Sequence, residues 1–74
     1  MQDKDRYRML HMLEAAEEAQ LFMKDISRES LPNDRKTVQA VIRCLEIIGE
    51  AAANISTKTR QYYPEIPWRS IIGM

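Results

Sequence analysis

The chain has 74 residues, 30% of them charged, with 11 Lys and Arg set against 11 Asp and Glu. That length allows one small domain with a thin core, of a size that rarely keeps more than about 3–5 kcal/mol of net stability and so favours a partner. The even charge balance excludes the broad basic footprint of a protein held by phosphates alone, although a local patch remains compatible with it.

Cys44 is the single cysteine, so no internal disulfide can form, and that usage suits a reducing compartment. The charged start "MQDKDRYRML" has no apolar segment of the signal-peptide kind, and no run approaches the roughly 20 apolar residues of a membrane span. The expectation is a cytoplasmic protein with no membrane contact.

The first predicted element is a helix from Asp5 to about Ile26, a stretch rich in helix formers and free of Pro and Gly. Met9, Met12, Leu13, Ala16, Ala19, Met23 and Ile26 share one broad face at helical spacing. Tyr7, Leu10 and Leu21 lie across from it among charged residues, a second apolar strip that points to a contact beyond the core.

"SRESLPND" then breaks the pattern, and Asn33 or Asp34 is the predicted N-cap of the second helix. Val38, Val41, Ile42, Leu45, Ile48, Gly49, Ala52 and Ile55 recur along that helix at steps of three and four. Gly49 costs about 1 kcal/mol there against alanine, which points to the close approach of another helix. Opposite runs a polar stripe of Gln39, Arg43, Glu46, Glu50 and Asn54, interrupted by Ile47. Such a stripe ordinarily faces water, and the apolar interruption favours a partner-facing surface.

Ser56 or Thr57 is predicted to cap a short helical turn that ends near Tyr63, before Pro64. Pro67 and Trp68 then open a third helix, because the first turn does not need the amide proton that proline lacks. Tyr62, Tyr63 and Trp68 are expected to pack the corner between helices rather than to stack on bases.

Little here carries visible chemistry. His11, Glu14 and Glu18 share a helix face, but the only histidine in the chain cannot build a site that needs ligands from several elements, so no metal is expected. Cys44 reads as a small core residue with no histidine to activate it. A helix-turn-helix reader is disfavoured by the balanced charge and the long apolar face of the second helix.

Two segments add more. "TVQAVIRCLEIIGEAAANIS", from Thr37 to Ser56, and "YYPEIPWRSIIGM", from Tyr62 to Met74, closely resemble the HepT-like family of the HEPN superfamily in content, order and spacing. The resemblance implies an all-α antiparallel bundle, with residues 1–74 forming a single dimerising domain of two long helices, a short turn and the start of a third. It implies a toxin of a prokaryotic toxin–antitoxin pair, a metal-independent endoribonuclease acting on RNA without a cofactor and partnered by a minimal nucleotidyltransferase. The family's catalytic signature is an arginine, four residues, a histidine, one residue and a tyrosine, and it follows directly on the "IIGM" segment. Residues 1–74 are therefore expected to lack the catalytic part and to be inactive alone. By the same resemblance Arg43 and Glu50 are candidates for the border of a cleft, while Gly49 and Trp68 serve helix packing. The alternative reading is a non-catalytic helical module that dimerises or binds the nucleotidyltransferase.

Overall fold

A computed structural model of the chain describes residues 2–73. Met74, which closes the "IIGM" segment, lies outside the described residues. Helix α1 spans Asp3–Met23, a short 3-10 turn spans Leu31–Asn33, α2 spans Arg35–Ala53, α3 spans Thr57–Tyr62 and α4 spans Trp68–Ile72. All of the regular structure is helical. The two long helices form an antiparallel hairpin, and α4 packs on α2.

Each boundary has a local cause. Helix α1 stops three residues before the expected Ile26, because Asp25 adopts a left-handed conformation with φ 65 that ends the helical run; aspartate tolerates that region better than most residues. Asp34 rather than Asn33 caps α2. One carboxylate oxygen accepts from the Thr37 amide at 3.2 Å and the other from the Thr37 hydroxyl at 2.9 Å. Ser56 caps α3, its Oγ accepting from the Thr59 amide. Pro67 stands one position outside α4 as its N-cap, and Trp68 is the first helical residue.

The last carbonyls of α2 would otherwise lack partners. Arg8 donates to the Asn54 carbonyl at 2.6 Å, while Arg60 donates to those of Ile55 at 3.0 Å and Ala53 at 2.9 Å. Two cations at a helix C-terminus also complement its dipole.

The core has two parts. Ala15 and Ala19 of α1 meet Cys44 of α2, with Ile47 and Ile48 packed alongside. Small side chains on α1 let the two backbones come close, which draws Cys44 to 2% exposure. The second part joins Ala52, Ile55 and Trp68, packed against Met9, Met12, Tyr63, Ile66, Ile71 and Ile72. Burying an isoleucine or tryptophan of this kind stabilises by about 1.5–3 kcal/mol.

The covered face of α2 is rotated from the one its periodicity predicts. Ile47, placed by spacing in the polar stripe, packs on the core, whereas Ile42 and Leu45 of the predicted apolar face stand exposed. On α1 the same correction applies to Leu13 and Met23, both exposed. At the corner Trp68 is buried and its Nε1 donates to the Tyr63 carbonyl at 3.0 Å, whereas Tyr62 is largely exposed and meets the corner through the Tyr63 ring, 6.2 Å away.

Helix α4 does pass close to Gly49. A β-carbon there would meet the Ile71 carbonyl oxygen at 3.5 Å, an ordinary contact, so an alanine would also fit.

Candidate functional site

The N-terminal half of α1 and the C-terminal half of α2 are fixed together by one buried carboxylate. Asp5 is 1% exposed, and it accepts from the Ser56 hydroxyl at 2.6 Å, the Thr59 hydroxyl at 2.6 Å and the Ser56 amide at 3.0 Å. These bonds tie the start of α1 to the junction of α2 and α3. The Ser56 and Thr59 hydroxyls, then the Ser56 amide, hold the Asp5 carboxyl at about 2, below its ordinary 3.8. The Arg8 guanidinium, 3.9 Å away, adds to this, while burial opposes it. A buried carboxylate is tolerated when donors replace its lost water, as they do here. With its partners supplied, Asp5 is a latch and not a proton-transfer group.

Local pattern cannot supply the partners of this latch, which lie 51 and 54 residues away. One signal was available. Asp5 is in phase with Met9, Met12, Ala16 and Ala19, so a charge stood at the head of the predicted apolar face.

Beside the latch, the flanks of α1 and α2 enclose an open cleft of about 730 Å³. Lys4, Tyr7 and His11 line it from α1, and Arg43, Ile47 and Glu50 from α2. Arg43 and Glu50, singled out from the sequence, thus share one wall. Ile47 and Ala51 also line the cleft and provide apolar surface in it. The Tyr7 and His11 rings stand 5.8 Å apart, tilted by 43°, with Tyr7 69% exposed. Among the described residues Arg43 is held by Glu46 alone, at 3.4 Å with both side chains largely in solvent. A pair of that kind contributes about 0–1 kcal/mol and opens readily.

A second cavity, about 570 Å³, lies around Lys58, Tyr62 and Tyr63. Its Ser56 and Thr59 hydroxyls are already given to Asp5, which leaves it fewer free polar groups. Among the described residues no three carboxylate, imidazole or thiol groups converge on a common point.

Residues 12–74 match the family described as Ribonuclease HepT-like. The chain belongs to the HepT-like ribonuclease family. It is 48% identical over 61 residues to "Probable ribonuclease HepT" of Thermococcus cleftensis, covering 82% of this chain and 56% of that protein. Against "Putative RNase MJ1380" of Methanocaldococcus jannaschii it is 40% identical over 63 residues, covering 85% of this chain and 58% of the other. The chain thus spans little more than half the length of these HepT-like relatives. No solved structure matches it with significance. No helix among the described residues is long and apolar enough to cross a membrane.

Proposed function

We propose that residues 1–74 are the scaffold portion of a HepT-like toxin that, when complete, cleaves RNA without a metal ion. The observation that carries this reading is the family match over residues 12–74, together with relatives whose names give them as ribonucleases. Cleavage without metal needs a base for the 2′-hydroxyl proton and a cation beside the crowded phosphate, roles suited to histidine and arginine. The family pattern supplies both from the Arg, His and Tyr signature that follows "IIGM". In residues 1–74 the one histidine is His11, on α1, outside any such signature. Arg60 is committed to the carbonyls that end α2, which supports leaving it out of the chemistry.

The polypeptide of residues 1–74 is therefore inactive alone. Incubated with RNA in the presence of a chelator, it leaves the substrate intact. Cleavage under those conditions that disappears with His11→Ala overturns the reading.

In the complete protein the partners are a second copy of the chain and a minimal nucleotidyltransferase that silences the toxin. The exposed Leu13, Ile42 and Leu45 favour a binding role even for the short chain, since a small domain gains from covering such surface. Sedimentation and co-purification with a nucleotidyltransferase test this second reading, and a stable, solitary monomer contradicts it.

A further inference from the structure

Resting on the RNA reading above, we propose that the cleft between α1 and α2 is a single-stranded RNA site, in which a base stacks on Tyr7 beside His11 and neighbouring phosphates meet Arg43 and Lys4. Three observations converge on it. A large aromatic ring that is 69% exposed lies 5.8 Å from a second ring at the same cleft. Every base has a π-face, so such a platform accepts single strands with little sequence preference. Among the described residues Arg43 is tied to the exposed Glu46 alone, at 3.4 Å, a weak partner that its guanidinium can exchange for phosphate. Ile47 and Ala51 add an apolar surface against which a base can lie.

The assignment of roles follows from what is already occupied. Arg8 also lines the cleft, but it donates to the Asn54 carbonyl at 2.6 Å and stands beside Asp5, so it serves the fold. Asp3 and Glu50 at the same cleft repel a dense phosphate array. A duplex, with two phosphate rows, is therefore disfavoured against one flexible strand. The Asp5 latch keeps the α1 wall in register with the α2 wall.

The test is fluorescence anisotropy at low salt with residues 1–74 and a labelled single-stranded RNA of about ten nucleotides. Its duplex form serves as the reference. Binding of the single strand in preference to the duplex is expected. Tyr7→Phe keeps it, and Tyr7→Ala weakens it by roughly 5-fold to 150-fold, the range for loss of one stacked base. Arg43→Ala weakens it and lowers the slope of log affinity against log salt by about one. Arg28→Ala, in the turn away from the cleft, leaves it unchanged.

The proposal is overturned by no binding at low salt; by equal losses for Arg28→Ala and Arg43→Ala; or by a loss with Tyr62→Ala and none with Tyr7→Ala, which moves the site to the second cavity. A Tyr7→Ala change that alters self-association but not RNA binding also overturns it, by making the ring a protein contact. The ribonuclease reading is judged separately, by cleavage with a longer family member, so a failed cleft and a failed family function are told apart.

Discussion

The two ends of the α1–α2 hairpin are built differently. At the closed end, where α1 begins and α2 finishes, Asp5, Ser56 and Thr59 form a buried hydrogen-bonded latch over Ala52, Ile55 and Trp68. At the open end, around residues 24–34, the turn is held by local contacts such as Ser27 with Ser30, and Leu21, Phe22 and Met23 are exposed. Leu13, Ile42 and Leu45 are exposed further along the helices. The contrast teaches where a small helical domain keeps its stability. The closed end fixes geometry and carries the cleft, whereas the open end leaves large apolar side chains exposed.

Substitutions sort along this contrast. Trp68→Ala removes the ring that packs α4 into the cluster with Ala52 and Ile55 and should cost about 3–5 kcal/mol. A domain of this size keeps about that much in total, so the variant should be largely unfolded by circular dichroism. Asp5→Asn comes next. It leaves the Ser56 and Thr59 donors facing a weaker acceptor and should lower the thermal midpoint at neutral pH.

The pH dependence of the latch has a definite sign. Asp5 titrates lower in the folded chain than in the unfolded one, so its stabilisation is complete above 3.8 and is lost as the pH falls towards about 2. Acid titration of thermal stability should show a loss in that window for the native chain and a shallower one for Asp5→Asn. Equal slopes would sever the latch from stability.

Asp34→Ala, at the start of α2 near the open end, should cost about 0.5–2 kcal/mol through loss of the cap, read by denaturant melting. Ile42→Ser combined with Leu45→Ser should move stability by only about 0.5 kcal/mol, as exposed positions do. If the open end serves a second copy, that double variant should still lower the sedimentation coefficient at high concentration.

Much of the fold was legible in the sequence. The order of the helices, cap regions at Asn33–Asp34 and Ser56–Thr57 and the corner at Glu65 and Ile66 all rest on short-range chemistry that a local reading captures, while Pro67 stands one position earlier than expected, outside α4. The rotation of α2 was not legible. Its apolar residues span more than one face, and spacing alone cannot say which flank a neighbour will cover. Ala15 and Ala19 decide that by admitting Cys44 and its neighbours. The latch was missed because charge reads as solvent exposure until its distant partners are known. In the cleft, Arg43 and Glu50 were visible as a stripe, but their meeting with Tyr7 and Lys4 depends on how the two helices pack.

The contrast between the ends is tested most directly by native-state amide hydrogen exchange on residues 1–74. The slowest amides should cluster at the closed end, in Cys44–Ile55 and at Thr59, with those of Val38–Ile42 exchanging sooner. Slowest exchange in Val38–Ile42, or uniform protection along α2, would contradict the account.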